Sequence, residues 1–193
     1  TAVPCGLEWL RQQEPAVRRE VLEELAEHSR EDAIAILVES LKDENPGVQQ
    51  AAVTGLIRIG GSAVVTRLLG LLREPPAIRN MAIEVIEQVI PDALDVVLPI
   101  LASPDANVRK MIIDALGKQT DHRVAQPLLR GLKDPNANVR ASAAEALGHL
   151  GAREAVPELI TLLHDDEWVA FSALTALAQI GDASALPSLL DLV

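Results

Sequence analysis

The chain has almost no aromatic side chains: two Trp, one Phe and no Tyr in 193 residues. Its interior must therefore be built from Leu, Ile, Val and Ala, which let helices approach closely. It has a single cysteine, Cys5, which excludes an internal disulfide, and a cytoplasmic setting is the expectation. Basic residues are scarce: 17 Lys and Arg stand against 28 Asp and Glu, a formal charge of −11, with no Lys/Arg cluster. A surface of that sign repels nucleic-acid phosphates and anionic headgroups, so neither nucleic acid nor a membrane is an expected partner. No apolar run approaches the ~20 residues that span a bilayer. The opening Thr1-Ala2-Val3-Pro4 is neither an initiator Met nor a signal peptide, and it reads as the edge of a fragment of a longer protein.

Signatures of chemistry are missing too. There is no Gly-x-Ser-x-Gly, no Gly-rich phosphate loop with Lys, and no Cys/His pair at a suggestive spacing. Cys5 has no basic neighbour to activate it. The expectation is a protein that is not an enzyme, with no cofactor and no metal. His164-Asp165-Asp166-Glu167 carries oxygen ligands, but it falls in a turn where acids cap the next helix.

What the chain does have is a period. A β-branched residue, usually followed by Arg or Gln, recurs at Val17, Val48, Ile78, Val108, Val139 and Val169, in steps of 31, 30, 30, 31 and 30. Apolar residues follow at +5 (Leu22, Val53, Ile83, Ile113, Ala144, Leu174) and at +8 (Leu25, Leu56, Ile86, Leu116, Leu147, Leu177). Offsets of 0, 5 and 8 share one face of a 3.6-residue helix, helix A of each unit. A second helix, B, ends on Leu10, Leu41, Leu71, Leu101, Leu132, Leu162 and Leu192. Leu10 has no helix A before it. The expected organisation is one all-α solenoid over 1–193, with a half repeat at 1–14 and repeats starting near 15, 46, 76, 106, 137 and 167, about thirteen short helices in all. Pro127, Pro157 and Pro187 share a register that marks helix B starts, while Pro99 sits two residues before Leu101 and should kink or shorten its helix.

The run Val139-Arg140-Ala141-Ser142-Ala143-Ala144-Glu145-Ala146-Leu147-Gly148-His149-Leu150-Gly151, followed by Ala155-Val156-Pro157-Glu158-Leu159-Ile160-Thr161-Leu162-Leu163, resembles the short HEAT-like repeat first associated with phycobilisome lyase proteins. The resemblance extends along essentially the whole chain. It implies a right-handed α-α superhelix with the A row on the convex side and the B row on the concave side. It also implies a bilin lyase subunit or chaperone as an alternative function. Deoxyhypusine hydroxylases, a related enzyme class, hold di-iron through His-Glu pairs, and this sequence has no His-Glu dipeptide.

Three sets of residues are candidates for function. Arg18, Arg79, Arg109 and Arg140 recur in one register, with acids in the turns (Asp43, Asp105, Asp134, Asp165). They form either a structural ladder, Arg to turn carboxylates and carbonyls of a neighbouring repeat, or an anion-binding row. Counting back from the last leucine of each helix B, the concave face should present Leu37, Arg67, Val97, Ile100, Leu128, Glu158 and Asp191. Exposed aliphatics suit a protein or peptide laid in a groove, and the acidic flank of Glu158 and Asp191 favours a basic partner. Trp168 and Phe171 replace residues that are small or polar in the other repeats, and their spacing of three puts them on one helix face. They would either pack against a further segment or touch a partner. The apolar ending Leu189-Leu190-Asp191-Leu192-Val193 is a poor cap, so self-association through an open end is a further expectation. The favoured reading is a protein-binding scaffold, with a rigid spacer in a larger protein as a rival.

Overall fold

Three of the A-type helices start after a turn residue, Asn45, Asp105 or Asn136, whose side chain accepts from free backbone N–H groups. Asn45 Oδ1 accepts from the N–H groups of Gly47 and Val48, and Asn136 Oδ1 from those of Asn138 and Val139. Proline occupies the first turn at Pro15, Pro46 and Pro76, where its missing N–H costs nothing. Gly151 and Gly181 end two of these helices in the left-handed region, at φ 66° and 65°. The protein is seen here as a computed structural model that describes residues 5–27 and 31–190. Among the described residues there are thirteen α-helices and no strand.

The chain divides into two compact units, Thr1–Val96 and Val97–Val193. The first holds α1 (Cys5–Arg11), α2 (Pro15–Leu25), α3 (Glu31–Ser40), α4 (Pro46–Ile59), α5 (Gly61–Leu68), α6 (Pro76–Val89) and most of α7 (Leu94–Val97). The A-type helices α2, α4 and α6 pack in sequence order, and the shorter B-type helices α3 and α5 pack beside them. Leu22, Leu37, Leu41, Leu56, Leu68 and Ile86 are fully buried between the two rows. Each such aliphatic contributes roughly 1.5–3 kcal/mol relative to an exposed position.

The second unit holds α8 (Ala106–Gly117), α9 (Ala125–Gly131), α10 (Ala137–Leu150), α11 (Val156–Leu162), α12 (Glu167–Ile180) and α13 (Leu186–Leu190). Here α8, α10 and α12 form the A row. Their spacing is set by small residues. A Cβ built on Gly117 would lie 2.7 Å from the Cβ of Ala146, and one on Gly148 would lie 2.7 Å from the Cα of Ala176. Ile112, Ile113, Leu116, Leu128 and Leu147 fill the space between rows.

Pro99 acts as its position predicts. α7 stops at Val97 after four residues, and 98–102 continues as a 3-10 turn. Proline has no N–H to donate to a carbonyl four residues back, so the α-helical ladder cannot run through it. Pro157 and Pro187 sit at the second residue of α11 and α13, and Pro127 at the third of α9. Two apolar positions of the pattern are exposed: Val17, the first of the period, and Leu174, in the +5 register. All three aromatic residues are exposed as well, so the core is entirely aliphatic.

Candidate functional site

The arginine register builds a ladder inside each unit. In the second unit Arg109 donates from Nε and Nη2 to both oxygens of Asp134, at 2.7 and 2.8 Å, and from Nη1 to the Ser103 carbonyl at 2.7 Å. Arg140 repeats the arrangement on Asp165, at 2.8 and 2.6 Å, and on the Asp134 carbonyl at 3.0 Å. In the first unit Arg18 donates to Asp43 at 2.8 Å and to the Gln13 carbonyl at 2.8 Å. Each arginine thus takes a carbonyl from the turn before its helix and a carboxylate from the turn after it, 25 residues on. Position 104, 25 residues beyond Arg79, is proline, so that rung has no acid. These guanidinium groups are occupied by the fold, which favours the structural alternative over an anion-binding row.

The Arg–Asp contacts hold the carboxyls ionised. Burial by itself would raise Asp134, but hydrogen bonds from Arg109 and from the Asn136 N–H outweigh it and bring Asp134 below the ordinary range. The hydrogen bonds from Arg140 lower Asp165 in the same way, against a smaller opposing effect of burial.

The residues expected to line the groove separate into two groups. Leu37, Val97 and Leu128 are fully buried and belong to the core. For Leu37 and Leu128 the reason is helical: the leucine four residues on, Leu41 or Leu132, is buried too, and an aliphatic side chain one turn below it on the same stripe is drawn inward with it. Arg67 is exposed and pairs with Glu31 at 2.7 Å. Ile100 and Glu158 are half-buried, and Glu158 lies 3.7 Å from Lys133. Asp191 lies outside the described residues, as do Leu192 and Val193, where the last helix B was expected to end. Among the described residues no group of three His, Cys, Asp or Glu side chains is placed to hold a metal. Nor is any described helix long and apolar enough to cross a membrane.

What the register missed is a cleft between neighbouring B segments, present in each unit at equivalent positions. In the first unit a cleft of about 330 Å³ lies between α1 and α3, over Leu7, Leu10 and Ser40, with Arg11 and Glu39 on its walls. In the second a cleft of about 410 Å³ lies between the 98–102 turn and α9, over Leu98, Leu101, Ile113 and Gly131, with Ala102 and Arg130 on its walls. The equivalence is strict in number: every one of these residues in the second cleft that has a counterpart in the first lies 91 positions later. The sequence signal was available in the repeat, but only the fold shows that two turns of a short helix leave this space open.

Trp168 and Phe171 are stacked on α12, with ring centroids 6.2 Å apart and planes inclined by 22°. They are 59% and 60% exposed, and Leu174 on the next turn is 42% exposed. Phe171 and Leu174 match Ala141 and Ala144 on α10, which are 2% and 0% exposed, while Trp168 matches Asn138, which is exposed. Gly148, one turn further along α10, meets Ala176 of α12. Phe171 and Leu174 therefore lie on the face that α12 covers on α10, with Trp168 at its exposed edge.

The family model of HEAT repeats matches residues 6–87, 73–136 and 125–193. The chain is similar to the alpha subunit of phycocyanobilin lyase of Picosynechococcus sp., with 43% identity over 63 residues. That match takes in 32% of this chain and 24% of the subunit, so it spans about a quarter of the relative's length. In fold it is similar to the complex of CpcE and CpcF of phycocyanin lyase from Nostoc sp., at a TM-score of 0.55 and 23% identity over 75% of this chain and 97% of that one. It is also similar to crescerin, which uses a TOG domain array to regulate microtubules in the primary cilium (TM-score 0.57, 16% identity, 92% of this chain and 90% of that one). These likenesses to solved structures are likenesses of fold.

Proposed function

We propose that this chain, which belongs to the HEAT-repeat family, is a scaffold that holds a protein or peptide partner on its B helices. The observation that carries the reading is the recurrence of a B-side cleft at equivalent positions in both units. Each cleft by itself offers an apolar floor between two B segments into which a partner can insert a side chain, in the way extended or helical segments dock into grooves. Arg67, Ile100 and Glu158 are the sequence-derived contacts on this side that have exposed surface to offer. Leu37, Val97 and Leu128 support the same face from beneath.

The test is affinity capture from cell lysate with the native chain and with an Arg67→Glu/Ile100→Asp/Glu158→Arg variant, after circular dichroism has shown equal helicity. The expected result is a protein retained by the native chain and lost with the variant. Retention of the same proteins by both would remove the B-side reading and leave the spacer role.

A second reading is favoured by the 43% identity with the phycocyanobilin lyase subunit. The chain would then be a subunit or chaperone of a bilin lyase-type enzyme. A bilin mixed with the chain should show a shifted visible absorbance band under this reading, and an unchanged spectrum would argue against it.

A further inference from the structure

We propose that the cleft between the 98–102 turn and α9 is a subsite for an acidic peptide segment, in which an aliphatic side chain fills the cleft and an adjacent Asp or Glu carboxylate is held by Arg130. This rests on the B-side reading and narrows it to one contact and one partner chemistry.

The two clefts differ in the charges on their facing walls. Across the cleft of the first unit, Arg11 and Glu39 face each other at 3.8 Å, so that pair of positions satisfies itself within the chain. In the second unit the same two positions hold Ala102 and Arg130. The cation has moved to the other wall and its acid is gone. Among the described residues no carboxylate pairs with Arg130. Asp134, four residues on, gives both oxygens to Arg109 and accepts the Asn136 N–H as well. Glu158 is turned to Lys133. Arg130 is thus an exposed, uncommitted guanidinium in a chain of charge −11.

The rest of the cleft suits an apolar guest. Leu98, Leu101 and Ile113 line it, and Pro99 and Pro127 on its two walls bring no N–H group to compete for a carbonyl. Ala102 in place of Arg11 leaves the space opposite Arg130 open. A carboxylate supplied by the partner takes the place that Glu39 fills in the first unit, and guanidinium and carboxylate meet through two parallel hydrogen bonds. The acidic whole repels anions at long range, so selectivity comes from this short-range contact rather than from steering.

The test uses the full chain labelled with 15N and a blocked peptide, N-acetyl-Leu-Asp-Leu-amide, titrated to millimolar concentration beside its Asn analogue. The expected result is shifts concentrated at the amides of Leu98, Leu101, Ala102 and Gly131 and at the Arg130 Nε–H, with the Asn analogue binding about tenfold more weakly. Arg130→Glu, an exposed substitution, should invert the preference toward a Lys analogue. Ala102→Arg/Arg130→Glu rebuilds the pair that Arg11 and Glu39 make, with the same polarity, and should abolish binding while the spectrum stays that of the folded protein. Equal affinity for the Asp and Asn peptides, an unchanged Asp affinity in Arg130→Glu, or no shifts at the cleft would each overturn the proposal. The lysate capture separates the two levels. A partner lost with the Arg67/Ile100/Glu158 variant but kept by Arg130→Glu removes only this subsite, whereas a partner kept by both removes the B-side reading itself.

Discussion

Arg109 reaches back to the Ser103 carbonyl and forward to the Asp134 carboxylate, and in doing so ties two inter-repeat turns to one helix. Both side chains of the pair are about nine-tenths buried, at 11% and 10% exposed. Removing one partner leaves the other charge without compensation in a poorly solvated place. Arg109→Ala is therefore expected to cost about 2–4 kcal/mol in urea unfolding. Arg67→Ala, which breaks a pair whose acid is 81% exposed, should cost less than about 1 kcal/mol. The same chemistry sets an acid dependence. Asp134 and Asp165 are held below the ordinary aspartate range when folded. Their contribution is fully present above the unfolded value of about 4 and is lost as pH falls through the lower folded values. Urea midpoints taken downward from pH 6 should hold until about pH 4 and then decline, and Asp134→Asn/Asp165→Asn should start lower and flatten that decline. The register of these arginines was visible in the sequence. The partner was not, because spacing alone cannot say whether a guanidinium turns to the acid before it or to the one 25 residues after.

At the scale of the element, small residues decide how closely helices approach. Gly148 permits α10 to lie against Ala176 of α12 with no room for a methyl group. Gly148→Ala should destabilise by about 1–3 kcal/mol despite alanine's better helix propensity, because the added carbon meets backbone that cannot turn aside. Gly70 has nothing within 4 Å of an added Cβ. Gly70→Ala should be neutral or stabilising by up to about 1 kcal/mol, and thermal melts of the two variants check the contrast. Proline positions were readable in advance, since a missing N–H acts locally. The inward turn of Leu37, Val97 and Leu128 was not, because a helix of two turns gives too few residues to set its orientation by pattern.

For the whole molecule, stability is expected to be a sum of local terms. Each helix of a repeat array packs chiefly on its immediate neighbours, so a lesion is felt nearby and fades along the chain. Arg140→Ala should speed amide hydrogen exchange in α10 and α12, since Arg140 of α10 is joined at 2.6 Å to Asp165 in the turn that leads into α12. It should leave α2 and α4 unchanged. Uniform acceleration throughout the chain would show a single cooperative unit and remove this view. The 30- and 31-residue steps, with their aliphatic offsets, Asn caps and prolines, were enough to determine an all-helical repeat fold, since periodicity and capping are properties of a few successive residues. Tertiary structure decided what is exposed. It put the expected groove leucines inside, left Trp168, Phe171 and Leu174 uncovered on α12, and opened a cleft in which Arg130 faces Ala102. Those outcomes depend on which neighbour covers which face, and a face is covered by residues about thirty positions away, beyond the reach of any local pattern.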